Sequence, residues 1–164
     1  MDEILKKITE YRIFNFLLPG AVFAYAISTT TDVPLNTDDI LLSFFLYYFI
    51  GLVVSRIGSV FIEPFLKFIK VIEFVSYEKY INASRIDSKI AAFSQDNNTY
   101  RTLISAGICY LAAYTVSTYH SSRPMNVYIV VLSISLIVLF VLSYRKQTDY
   151  IKKRIGIALK EKNS

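Results

Sequence analysis

The stretch Gly51 to Pro64, GLVVSRIGSVFIEP, carries an arginine and, seven residues on, a glutamate within a run that otherwise suits lipid. Upstream the run continues without a charge to Ile40. Ile40 to Ile62 is therefore an apolar block of about 20 residues, what a helix needs to cross a hydrocarbon core of roughly 30 Å. Three more blocks of comparable length follow the same logic: Ile13 to Thr29, Leu103 to Tyr119 and Val127 to Ser143.

With 54 % hydrophobic residues in a chain of 164 and a mean hydropathy of +0.42, the composition exceeds the roughly 45–50 % usual for soluble domains. The polar sequence is too short to cover four buried helices, so the excess must meet lipid. The expected fold is an all-α integral membrane protein forming a single domain over residues 1–164. It has transmembrane helices at 13–29, 40–62, 103–119 and 127–143, a short helical cytoplasmic segment at 63–102 and a cytoplasmic tail at 144–164.

The first block resembles a secretory signal, with Lys6, Lys7 and Arg12 ahead of an apolar run ending in Ala24-Tyr25-Ala26. Asp2, Glu3 and Glu10 dilute the basic region and Pro19-Gly20 interrupts the run. The block reads instead as a retained membrane helix, bent near Pro19.

Lysine and arginine sort sharply along the chain. Lys6, Lys7 and Arg12 precede the first block, six lie between the second and third, and seven follow the fourth. The connection Thr30 to Asp39 has none, and His120 to Asn126 has only Arg123. By the positive-inside rule both termini and the central segment are cytoplasmic and the two short connections face out, in a multi-pass membrane protein. Orientation accounts for most of the net charge of +5, so basicity here is no signature of nucleic-acid binding. The cytoplasmic face also attracts anionic headgroups. Asp32, Asp38 and Asp39 make the outer connection negative, which either gathers cations at a pore mouth or keeps a loop solvated.

Cys109 is alone within the third block, so no intramolecular disulfide forms. Asn82-Ala83-Ser84 and Asn97-Asn98-Thr99 match the glycosylation pattern but fall on the cytoplasmic side.

On a regular helix Arg56, Ser59 and Glu63 fall at i, i+3 and i+7, a polar stripe with Ser55 at its edge. Gly51, Ser55 and Ser59, together with Gly58, supply the small residues that let membrane helices approach closely. The second helix is thus the expected packing helix. Two readings of the stripe stand side by side. Arg56 extends its guanidinium to the headgroups while Glu63 sits at the interface, or the stripe faces neighbouring copies and lines or latches a narrow aqueous path. Pro64 is where the helix is expected to bend.

Phe65 to Val75, apolar with Lys67 and Lys70, suits a helix lying at the membrane surface. Ser76 to Ala92 is polar helix sequence with Tyr77, Tyr80, Ile81, Ile86 and Ile90 in a loose stripe, and Ser94 to Asn98 reads as a turn. The tail sets Ile151, Ile155, Ala158 and Leu159 against Lys152, Lys153, Arg154, Lys160 and Lys162, a basic amphipathic helix. Tyr77, Lys79, Tyr80, Arg85, Lys89, Tyr100 and Arg101 offer cations and stacking rings to a cytoplasmic protein or a nucleotide signal. No phosphate-cradling glycine loop accompanies them.

No HExxH, CxxC, GxSxG or P-loop pattern occurs, nor an internal repeat. The expectation is a protein that is not an enzyme and has no cofactor or metal.

Three stretches carry a resemblance: Tyr11 to Gly20 (YRIFNFLLPG), Tyr48 to Lys67 through its Arg56, Glu63 and Pro64, and Asn97 to Thr102 (NNTYRT). Over about the first two thirds of the chain the pattern resembles a group of small four-helix bacterial inner-membrane proteins of poorly known activity. In architecture it is also similar to the channel-like membrane effectors of Hailong-type anti-phage defence systems. That likeness implies a homo-oligomer whose opening permeabilises the membrane. The alternative is a non-conducting anchor that recruits a cytoplasmic partner.

Overall fold

The structure, a computed structural model, describes residues 2–121 and 124–161, with the backbone alone for residues 2–12 and Glu161. Arg123 and Lys162 therefore lie outside the described residues, as do the side chains of Lys6, Lys7 and Arg12. The regular structure of the described chain is all helix, with no strand. In order come α1 (Asp2–Thr30), α2 (Ile40–Ile57), a π-turn (Gly58–Ile62), α3 (Glu63–Phe68), α4 (Tyr77–Ile86), α5 (Lys89–His120) and α6 (Val127–Glu161).

The four long helices alternate in direction. α1 and α2 form one antiparallel hairpin and α5 and α6 another, with α5 packed against α1, α2 and α6. The polar contacts fix which ends meet. Thr99 Oγ1 donates to Asn15 Oδ1 at 2.8 Å at one end, and Tyr110 Oη bonds Thr30 Oγ1 at 3.1 Å at the other. The first end also gathers α3 and α4, while the connections after α1 and α5 meet at the second, where Ser121 Oγ donates to Asp32 at 2.7 Å.

Among the described residues three helical stretches are long and apolar enough to cross a membrane: Ile13–Thr30, Ile40–Phe68 and Val127–Lys160. The block Leu103 to Tyr119 lies in α5 and is not one of them. Its second half carries Tyr110, Tyr114, Thr115, Ser117 and Thr118. Ile104, Ser105, Tyr114 and Thr118 are buried, so this helix meets protein on a large part of its surface.

Glycine sets the closest approach. A Cβ on Gly20 would lie 1.8 Å from the Tyr47 carbonyl oxygen, and one on Gly51 would lie 1.9 Å from that of Phe16. The α1 and α2 backbones therefore touch where both side chains are hydrogen, the contact that drives helix association without a hydrophobic gradient. Phe16 and Tyr48 pack edge to face beside it.

Pro64 does not end its helix. It cannot donate to the carbonyl four residues back, and the chain answers one turn earlier by widening, so that the Glu63 N–H bonds the Gly58 oxygen five residues back. The helix resumes and stops at Phe68, closed by bonds from Lys70 N to Lys67 O (3.0 Å) and Val71 N to Leu66 O (2.9 Å). This is a Schellman closure with Lys70 in the left-handed region at φ 56°. The helix expected over Phe65 to Val75 is thus cut short, and Ile72 to Ser76 runs without regular structure.

Two other boundaries move. The turn expected at Ser94 to Asn98 is interior helix, because its polar side chains find partners across the bundle. Asn97 Nδ2 of this stretch donates to Thr148 Oγ1 of α6 at 2.9 Å. The break falls instead at Asp87, whose extended backbone (φ −125°, ψ 100°) separates α4 from α5. The tail does not form a separate helix either, since α6 runs unbroken through Ser143. Its stripe of Ile151, Ile155 and Ala158 is buried against Ala83 of α4 and Ile90 of α5, with Tyr80 and Phe93 alongside.

Candidate functional site

The second core cluster, Leu66, Ile72, Ile104 and Tyr144, joins α3, the following link, α5 and α6. On this apolar floor stands an ionic cluster. Glu63, at the start of α3, accepts from Arg101 Nη1 at 2.5 Å and from Lys67 Nζ at 2.7 Å. Tyr144 Oη approaches the same carboxylate at 3.5 Å. The Glu63 and Arg101 side chains are only 19 % and 14 % exposed, so the pair is largely withdrawn from water, where losing either partner would strand the other. The Arg101 Nε is buried with no hydrogen-bond partner.

The cluster forms one wall of a cavity of about 490 Å³ that opens between the link after α3, α5 and α6. Tyr77 and Tyr80 of α4, Asn97 of α5 and Thr148 of α6 line other parts of it. Its rim is held by a second ion pair, Lys152 Nζ to Glu73 at 2.9 Å. The Lys152 hydrogen bond holds the Glu73 carboxyl below its ordinary value, helped by the same ammonium charge. A third pair, Arg154 with Asp87, ties α6 to the α4–α5 break, and the Arg154 hydrogen bond lowers Asp87 likewise. Arg154 also stands over the Phe93 ring at 5.6 Å.

The residues singled out in the sequence are divided by this geometry. The π-turn holds more residues per turn than an α-helix, which rotates Glu63 out of line with Arg56. Glu63 faces α5 and α6. Arg56 is exposed on α2 in a shallow groove with Leu52, Val53, Ile57, Val60 and Phe61, and makes no ion pair among the described residues. Ser59, half-buried, belongs to the widened turn. Of the small residues, Gly51 meets α1. Ser55 and Gly58 meet α5, where Thr102 Oγ1 donates to Ser55 Oγ at 3.2 Å and a Cβ on Gly58 would lie 3.1 Å from the Arg101 carbonyl oxygen.

Of the aromatic and basic set, Tyr77, Tyr80 and Arg101 converge on the cavity, while Lys79, Arg85 and Lys89 are exposed away from it. Tyr100 lies on the outer side of α5, in a groove shared with α6. Tyr144, Asn97, Thr148 and Gly20 were not identified from sequence as site or packing residues. One signal did exist: Glu63 and Arg101 flank the facing ends of two antiparallel apolar blocks, with opposite charge at equal depth.

Among the described residues no group of three or more His, Cys, Asp or Glu side chains is placed to hold a metal. No protein-family model, curated protein or solved structure matches the chain.

Proposed function

We propose that the chain is an oligomeric inner-membrane protein that forms or gates an ion path. In this reading four helices cross the bilayer, α5 being the enclosed fourth, and both termini lie in the cytoplasm with α3 and α4. The observation that carries it is Arg56. A full charge stands exposed on α2, within the apolar stretch Ile40–Phe68, with no ion-pair partner among the described residues. Such a charge costs about 2.5–3.5 kcal/mol at the centre of a membrane helix on insertion scales. The cost falls if this face of α2 borders water or a neighbouring copy around an axis. The Glu63–Arg101 pair fits a latch between α3 and α5, stable while dry and weakened when water enters. Within this proposal the resemblance to defence effectors, one of architecture only, implies that opening depolarises the host membrane.

The test is ion flux from liposomes holding the purified protein, wild type beside Arg56→Ala and Glu63→Ala, with oligomer mass measured in the same detergent. Flux from a defined oligomer that changes with Arg56 is the expected result. A tight membrane from the wild type and both variants would overturn conduction.

A second reading, a non-conducting anchor, is favoured by the exposed Tyr77, Lys79, Arg85 and Lys89 on α4 and the start of α5. These form a surface for a cytoplasmic partner. Loss of partner capture on changing them, with Arg56→Ala neutral, distinguishes it.

A further inference from the structure

Five of the cations of α6 fall into two sets. Lys152 and Arg154 are engaged by Glu73 and Asp87 and dock the helix onto the link and α4. Arg145, Lys146 and Lys153 make no ion pair among the described residues, and all three are exposed. They border a groove of about 820 Å³ on the other side of the helix, where Tyr100 of α5 and Tyr150 supply rings and Asp149 the lone carboxylate.

The position of the groove along α6 identifies its occupant. Val131, Ser135, Leu139, Leu142, Lys146, Asp149 and Lys153 recur every three or four residues on one helical face, and every one is exposed. That face is mainly apolar as far as Leu142 and charged from Lys146 onward. A ligand matching it has hydrocarbon followed by negative charge, met where the apolar run of α6 ends. Free phosphate or a soluble organic anion would leave Val131, Leu139 and Leu142 uncovered.

We infer that the α5–α6 groove at Tyr100, Arg145, Lys146 and Lys153 binds the headgroup of an anionic phospholipid, whose acyl chains run along the Val131–Leu139–Leu142 face. The inference rests on the membrane placement proposed above and not on conduction. Tyr100 adjoins Arg101, so an occupied groove stands next to the Glu63 pair on α5.

The experiment is native mass spectrometry of the full-length protein released from detergent, titrated with phosphatidylglycerol and separately with phosphatidylcholine of the same chains. Wild type is compared with Lys146→Gln/Lys153→Gln and, as a control on the opposite set, Lys152→Gln. The expected result is preferential retention of phosphatidylglycerol, reduced roughly tenfold or more in the double variant and little changed in Lys152→Gln. Equal retention of the two lipids, or a preference indifferent to Lys146 and Lys153, overturns it. Displacement of the lipid by glycerol phosphate at equal concentration also overturns it, assigning the groove to a soluble anion. Because the altered side chains are exposed, unchanged thermal unfolding serves as the check on folding, with Arg145→Gln as the second variant. Extraction of the wild type from membranes by alkaline carbonate would show instead that the membrane placement itself fails.

Discussion

Arg101 of α5 donates to the Glu63 carboxylate across 38 positions of sequence, at the point where the widened turn ends and α3 begins. The bond joins the α1–α2 hairpin to the α5–α6 hairpin at the end where α4 packs. Lys67, one turn further along, shares the same carboxylate.

Removing one side of that pair leaves a half-buried charge without its partner. Arg101→Ala and Glu63→Ala should each lower stability by about 1–3 kcal/mol, less than for a fully buried pair because Lys67 and some solvent remain. The double variant should lose less than the sum of the two. Thermal unfolding in detergent measures all three, and strict additivity would mean the residues do not act as a pair.

Gly51→Ala places a methyl carbon within 1.9 Å of the Phe16 carbonyl oxygen, a backbone atom that moves only with its helix. The α1–α2 hairpin should open and the protein should lose several kcal/mol or fail to accumulate. Gly156→Ala meets nothing within 4 Å and sits inside α6, so it should raise stability by about 0.5–1 kcal/mol. Melting temperatures moving in opposite directions are the expected readout.

Lys70 holds a left-handed backbone at φ 56° at the end of α3. Lys70→Gly removes the Cβ penalty, about 1 kcal/mol, from a closure whose hydrogen bonds are all main chain. The variant should be more stable than wild type; a lower melting temperature would show that the lysine side chain contributes more than its backbone costs.

Glu73 and Asp87 have carboxyls held below their ordinary values by Lys152 and Arg154. A lowered folded-state pKa means the unfolded state binds protons first as pH falls. The stability these pairs contribute is present above the ordinary values of 4.5 and 3.8 and is lost as pH drops through the lower folded-state ones. Protection of the α4 amides, corrected for the intrinsic pH dependence of exchange, should therefore be steady from neutral pH to about 5 and fall below about 4. Lys152→Gln and Arg154→Gln should weaken that dependence, since each removes one of the two shifts.

Asn97 is buried on α5 with its amide on Thr148 of α6. Thr148→Val keeps the volume and removes the acceptor, leaving a buried donor unpaired at a cost of about 1–3 kcal/mol. Asn97→Leu with Thr148→Val should recover part of the loss, measurable in the same unfolding series.

Local chemistry determined much of this protein. The apolar blocks of α1, α2 and α6 are long enough to cross a membrane by composition alone, and the helical stripe of Ile151, Ile155 and Ala158 was legible from spacing of three and four. Only the tertiary structure decided what those features meet. The Ser94 to Asn98 stretch reads as a turn until Thr148 stands opposite Asn97, because short polar side chains favour turns only when no neighbour satisfies them. The tail stripe reads as a surface helix until α4 and α5 cover it. The alignment of Arg56 with Glu63 holds only for a regular helix, and Pro64, by withholding one N–H, widens the turn between them. That single missing donor turns Glu63 toward Arg101 and leaves Arg56 on the outside.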